Sequence, residues 1–228
     1  MNVLAFDTCL GAVSAAVCRI DAGAMHVLSE AYEVRTTGHA ERLMPMIEET
    51  VARSGIGLDA IDRLAVSLGP GSFTGVRLGV AAGRALALAM SKPCVGVTSL
   101  AAIAHEARRV LGGRAKDLAV AVDARAGMVY LQLFKDGGAA SEPMLLTAAD
   151  AACSIGTRAT TIVGSAAASV AEVADRQADA ALLDLQPHAR VVAALAAEVA
   201  AGGPLRPLYL RHPDAKLQGD KALSRVAS

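Results

Sequence analysis

The chain has 228 residues, enough for one large domain or two small ones with real cores. Apolar residues make up 54%, aromatic residues only 3%, and Trp is absent, which excludes a disordered chain and calls for a core of Ala, Val and Leu. The 22 basic side chains balance 22 acidic ones, which argues against a protein that grips nucleic acid alone but permits a supporting role.

Asn2-Val-Leu-Ala-Phe6 is an apolar run of strand length ending at Asp7. Gly11 turns the chain; residues 12–18 read as a second strand and 26–34 as a third. A helix is expected from about His39 to Arg53, with Leu43, Met44, Ile47 and Val51 on one face and Glu41, Glu48 and Arg53 elsewhere. Pro45 is awkward there and is expected within an early turn. Residues 64–68 read as a strand and 74–90 as a helix, broken by Lys92-Pro93 before a short strand at 94–97. Residues 99–111 look helical and end at Gly112-Gly113. Strands follow at 118–122, running into Asp123, and at 129–134. Thr161-Ile-Val163 precedes Gly164-Ser165 and an Ala-rich helix. The last helix is expected over 188–201, after Pro187 and before Gly202-Gly203-Pro204; the tail from Leu205 to Ser228 has little periodicity.

The sequence echoes itself. "VLAFDTCLGAVSAAV" and "LAVAVDARAGMVYLQLF" are each an apolar strand ending in Asp, a short turn with Gly, and an outgoing strand. "LAVSLGPGSFTGV" and "TIVGSAAASV" share strand, Gly and small-residue helix. The expectation is a duplicated α/β chain with a cleft between the copies, each opening on an antiparallel meander in a mixed sheet. The division is set at 1–102 and 103–205, with 206–228 packing back on the first copy or partly disordered.

Four cysteines (Cys9, Cys18, Cys94, Cys153) form no C-x-x-C and read as scattered thiols in a reducing compartment. The N-terminus has no basic region before its apolar run, and no uncharged apolar run reaches 18 residues. Neither signal peptide nor membrane span is expected, and the location is expected to be cytoplasmic.

The stretch Gly69-Pro70-Gly71-Ser72-Phe73-Thr74-Gly75-Val76-Arg77 looks at first like a phosphate cradle. It lacks the Lys-Ser/Thr of a P-loop, its glycines are spaced one residue too far for a dinucleotide fingerprint, and Ser72 directly follows Gly71, which excludes a nucleophile elbow. On these residues alone a tight turn with Ser72 or Thr74 capping the helix is the better account. In that helix Gly75, Gly79, Ala82, Gly83, Leu86 and Met90 lie near one face, and Arg77 and Arg84 share another. Interior glycines cost about 1 kcal/mol each against Ala, so another backbone is expected close by, from the chain's own sheet or from a partner's helix. Asp7 and Asp123 end equivalent strands, where they either hold a metal or activate a nucleophile, or simply cap turns. His39 opens its helix, but the i+4 position is Leu43, so no paired-histidine metal site is expected.

Taken in order, "LAFDTCLGAVSAAV", "GHAERLMPMIEE", "SLGPGSFTGVRLGVAAGRALA", "GVTSLAAIA", "VDARAGMVYLQLF" and "PLYLR" resemble the TsaB family, also called YeaZ. Its members belong to the bacterial machinery that adds threonylcarbamoyl to a tRNA adenosine beside the anticodon. The 69–77 segment is the most specific; residues 136–206 match least distinctly. The resemblance implies the duplicated actin/Hsp70-like kinase (ASKHA) fold. It also implies a non-catalytic subunit that pairs with the transferase TsaD, which the ATPase TsaE joins, so that ATP and metal belong to the partner subunits and tRNA is met through the complex. The H-x-x-x-H pair of the TsaD relative is reduced here to His39 and Leu43, and the adenosine loop of the kinases to Gly164-Ser165.

The family pairs through the first two helices of the N-terminal half. Mapped here, the partner interface is Leu43, Met44, Ile47, Val51, Gly75, Gly79, Ala82, Gly83 and Leu86, available to a homodimer when the partner is absent. Asp7, Thr8 and Asp123 would be a vestigial nucleotide cleft. Two rivals stay open: an ATP-dependent small-molecule kinase using Asp7 and Asp123, and a metallopeptidase-like relative. The tail from Arg206 carries five Lys or Arg against two Asp and is either a contact to RNA or partner, or a solvated end.

Overall fold

A computed structural model describes residues 1–112, 116–156, 160–174 and 180–210. Strand β1 (Asn2–Asp7) pairs antiparallel with β2 (Ala12–Asp21), and β2 with β3 (Ala24–Val34). Strand β4 (Arg63–Ser67) joins β1 in parallel and β5 (Cys94–Val97) joins β4, giving the order β3-β2-β1-β4-β5. The second sheet repeats this plan. Its strands β6 (Asp117–Asp123), β7 (Met128–Lys135), β8 (Gly138–Ala139), β10 (Thr161–Val163) and β11 (Ala180–Ala181) run β11-β10-β6-β7-β8, with β9 (Met144–Thr147) also on β7. Read from the centre outward, the two orders are the same, and this is the duplicated actin/Hsp70-like architecture.

Helices take equivalent places too. Helix α1 (His39–Arg53) follows the first meander, α2 (Phe73–Met90) links β4 to β5, and α3 (Ser99–Leu111) leaves the sheet. Their counterparts are α4 (Ala148–Ile155), α5 (Ala167–Val173) and α6 (Ala189–Glu198). Period-two alternation sends Leu4, Phe6, Leu64 and Val66 to one face of the first sheet, under α1 and α2, and Val3, Ala5 and Ala65 to the other, under α6. In the second sheet Leu118, Val120 and Val122 meet α3, while Ala119 and Ala121 meet α4 and α5.

The expected division of the chain needs correcting. Position 102/103 falls inside α3, and α6, which sequence order assigns to the second copy, packs on the first sheet. The third helix of each copy crosses over, so α3 and α6 fill the space between the sheets. Arg190 fastens that layer: its guanidinium donates to Glu30 of β3 at 2.9 Å and to buried Glu106 of α3 at 2.7 Å, and Arg109 donates to Glu106 at 2.8 Å. Burial alone would raise both carboxyls, but the His188 and Arg190 bonds at Glu30, and the Arg109 and Arg190 charges at Glu106, hold them below the usual range.

Smaller differences have local causes. Pro45 sits seventh in a continuous helix rather than in an early turn, on the exposed side, where water can replace the N–H that proline does not offer to the Glu41 carbonyl. The last helix ends at Glu198, before Gly202. Strands β8, β9 and β11 and helix α4 are too short to leave a periodic trace. By length and composition α2 could cross a membrane, but its Gly75, Val76, Gly79, Val80 and Gly83 row is buried on the first sheet. Of the tail, Arg211, Lys216, Lys221, Arg225, Asp214 and Asp220 lie outside the described residues.

Candidate functional site

The glycine loop meets backbone. Ser72 N–H donates to the Cys9 carbonyl at 2.7 Å, and the Thr8 hydroxyl donates to the Gly75 carbonyl at 2.6 Å. A Cβ on Gly71 would overlap the Cys9 carbonyl, and one on Gly75 the Thr8 carbonyl. The loop therefore lies directly on the β1–β2 turn, with Ser72 capping α2 by accepting from Gly75 N–H at 3.0 Å. Ser99 closes its far side, donating from N–H to the Gly69 carbonyl at 2.8 Å and from its hydroxyl to the Pro70 carbonyl.

This seal decides where the two strand-end acids go. Asp7 and Thr8 are buried and stand beneath the loop, outside the lining of the cleft. Asp7 Oδ2 accepts from Cys9 N–H at 3.3 Å, while Oδ1 has no hydrogen bond. Burial pushes the Asp7 carboxyl up to about 6, tempered by the neighbouring Ser67 hydroxyl and Cys9. Asp123 is exposed and does line the cleft. The expected triad of Asp7, Thr8 and Asp123 is thus not brought together at one surface.

The cleft lies between the lobes and has a volume of about 790 Å³. Ser72, Phe73 and Arg77 of the first copy face Asp123, Arg125 and Ser165 of the second. Tyr209 and its neighbours Leu208 and Leu210 complete the wall. The Arg77 guanidinium stacks 3.6 Å from the Phe73 ring centre and donates to the Tyr209 hydroxyl at 2.8 Å. Tyr209 lies in the "PLYLR" segment that carried part of the family resemblance, but no site role was expected for it, because a lone aromatic in an aperiodic segment does not show where it packs.

The expected partner face needs a larger correction. Leu43, Ile47, Gly75, Gly79 and Gly83 face inward. A Cβ on Gly79 would meet the Thr8 hydroxyl at 2.9 Å, and one on Gly83 would meet Cys94 Sγ, Leu205 and Val66 at 3.2–3.3 Å. The close approach comes from within the chain: the Thr8 backbone at Gly75, and side chains of the first lobe at Gly79 and Gly83. Val51, Ala82 and Leu86 are half-buried against the same core. Of the expected set, only Met44 is exposed, at 40%. The apolar residues left open on α1 and α2 are others: Met44 and Pro45 on the first helix, and Ala81, Ala85 and Leu88 on the second, the last 83% exposed. Arg77 and Arg84, also exposed, share one edge of α2. His39 stands at the start of α1 with Nε2 3.1 Å from the Leu10 carbonyl, and Leu43 is in the core beneath it.

Comparison with known proteins matches this geometry to a family. Residues 32–180 match the family described as TsaD, tRNA N6-adenosine threonylcarbamoyltransferase. A Mycobacterium tuberculosis protein is 35% identical over 218 residues, 94% of each chain. The Escherichia coli tRNA threonylcarbamoyladenosine biosynthesis protein TsaB is 38% identical over 130 residues, 57% of this chain and 53% of that protein. The structure of YeaZ from Pseudomonas aeruginosa superposes with a TM-score of 0.78 at 30% identity, covering 92% of this chain and 99% of the other.

Proposed function

The chain belongs to the TsaB/YeaZ family, and from that premise we propose that it is a non-catalytic subunit in the synthesis of threonylcarbamoyladenosine on tRNA. It docks to a TsaD-like transferase through the outer face of α1 and α2. A TsaE-like ATPase completes the assembly, which works in the cytoplasm and meets tRNA as a whole. ATP and metal are held by the partners, and a second copy of the chain takes the same face when the transferase is absent.

The observation that carries the docking reading is the exposed set Met44, Pro45, Ala81, Ala85 and Leu88. Apolar side chains lie open along two adjacent helices, and small residues on α2 leave room for a partner helix. The sealed Asp7 weighs against the kinase reading, which needs that carboxylate at the cleft. Buried Leu43 weighs against a metallopeptidase, since the place of a second ligand faces the sheet.

Ala85→Arg is the direct test. Ala85 is exposed, so folding should change by no more than about 0.5 kcal/mol. Pull-down of the transferase and modification of tRNA should both be lost. A folded Ala85→Arg protein that still pairs and still supports modification would sink this reading.

A further inference from the structure

Residues 205–210 start on the first lobe and end on the second. The Leu205 carbonyl accepts from Arg84 Nε at 3.1 Å and also from Arg84 Nη2. Leu208 N–H donates to the Leu68 carbonyl at 2.7 Å. Tyr209 accepts from Arg77, and its ring lies 5.5 Å from that of Phe73. Leu208, Tyr209 and Leu210 line the cleft, and Leu210 packs into the core of the second lobe. Leu205 is buried in the core of the first lobe. Besides this packing at its two ends, two of the segment's three named polar contacts are to guanidiniums of α2, from the helix that also presents Ala81, Ala85 and Leu88.

We propose that residues 205–210 are a strap coupling the outer face of α2 to the interlobe cleft, and that the partner on that face engages α2 through carboxylates that compete for Arg77 and Arg84. The proposal rests on the docking reading above. Its chemistry lies in what the two cations hold. Both are exposed, and their hydrogen bonds run to a carbonyl and a phenol, which are neutral acceptors. A carboxylate adds an opposite full charge and can accept from a guanidinium in a bidentate fork, which neither the Leu205 carbonyl nor the Tyr209 phenol offers. An acidic side chain beside Ala81 or Ala85 thus draws Arg77 and Arg84 away from the strap. The Leu208 bond and the packed Leu205 and Leu210 side chains then hold the ends, and the wall loosens at Tyr209 between them. Because such coupling is reciprocal, a ligand that fixes the wall holds the guanidiniums back from the partner.

Amide hydrogen exchange reads the strap directly, with sedimentation reporting the complex. In the free chain, Arg77→Ala with Arg84→Ala should speed exchange over 205–210 by at least about tenfold while β4 is unchanged. Tyr209→Phe keeps the ring, loses the acceptor and should give about threefold, and it serves should the double variant unfold. Unchanged exchange in these variants overturns the strap. On adding the transferase subunit, exchange over 205–210 and 122–125 should rise together. A complex that forms with both segments unchanged overturns the coupling and leaves the docking reading standing. No complex at all overturns both.

Discussion

β1 and β6 are the central strands of the two lobes, and each ends in an aspartate. Asp7 is fully buried and Asp123 is open to the cleft. A later glycine loop rests near the end of each strand, on the turn after β1 and on the last residues of β6. Gly69 at φ 98° and Gly164 at φ 100° make the same bend, and Gly164 lies on the Ala121 carbonyl much as Gly71 lies on that of Cys9. The difference is what comes next. The first loop runs through three more residues into an 18-residue helix and covers the strand end, whereas the second runs through two into a seven-residue helix and leaves Asp123 exposed. Two copies of one backbone plan have diverged in length. The longer copy has sealed its acid and gained an outer helix face, and the shorter has kept an open rim.

The strongest way to break this comparison is to disturb the seal. Gly75→Ala puts a methyl into the Thr8 carbonyl, which is backbone and cannot swing aside. Overpacking of this kind should cost about 3 kcal/mol or more, seen as a lower melting temperature or as insoluble protein. The counterpart substitution Ser169→Ala, on the exposed side of α5, should change stability by less than about 0.5 kcal/mol. A Gly75→Ala protein as stable as wild type would mean that the loop does not bear on the β1–β2 turn.

The same residues show how much was legible beforehand. Strand order within each meander followed from the Asp-turn echo, and most helix bounds followed from Gly, Pro and periodicity. The direction of the α2 faces did not. The helix carries two small-residue rows, Gly75, Gly79 and Gly83 inward and Ala81, Ala85 and Ala89 outward, and a periodicity argument treats both alike. What separates them is space: glycine lets the Thr8 carbonyl at Gly75, and core side chains at Gly79 and Gly83, come closer than a Cβ allows, while alanine suffices on an open face. Asp7 and Asp123 were indistinguishable for a similar reason, since the seal comes from a loop more than sixty residues away. The Glu30, Arg190 and Glu106 clasp joins three distant stretches and leaves no local pattern.

A pH series sharpens the contrast between the two acids. The Asp7 carboxyl stands at about 6 in the folded chain against 3.8 for the ordinary group. The folded state holds that proton more tightly, so the contribution is fully present below about 3.8 and is lost as pH rises through about 6. At pH 7.5 the buried carboxylate is a cost of about 2 to 3 kcal/mol, which Asp7→Asn should relieve. The gain should shrink as pH falls from 6 and vanish near 4. Asp123→Asn, at the open strand end, should leave the melting curve within about 0.5 kcal/mol of wild type at both ends of the series. Equal pH profiles for the two variants would erase the distinction between them.

The smallest effect comes from the serines of the two loops. Ser72 caps α2 by accepting from Gly75 N–H, so Ser72→Ala should cost about 1 kcal/mol. Ser165 does a different job: its hydroxyl accepts from Asp123 N–H at 2.9 Å, and α5 itself has no side-chain cap. Both Ser165 and Asp123 are exposed at the cleft, where water replaces the lost acceptor. Ser165→Ala should therefore cost no more than about 0.5 kcal/mol. The two variants should also differ in where they act. Hydrogen exchange in Ser72→Ala should quicken in the first turn of α2, beside the proposed partner face, and in Ser165→Ala at the end of β6. A Ser165 variant that loosens α5 instead would show that the second loop caps its helix as the first does, and that the copies have diverged less than their lengths imply.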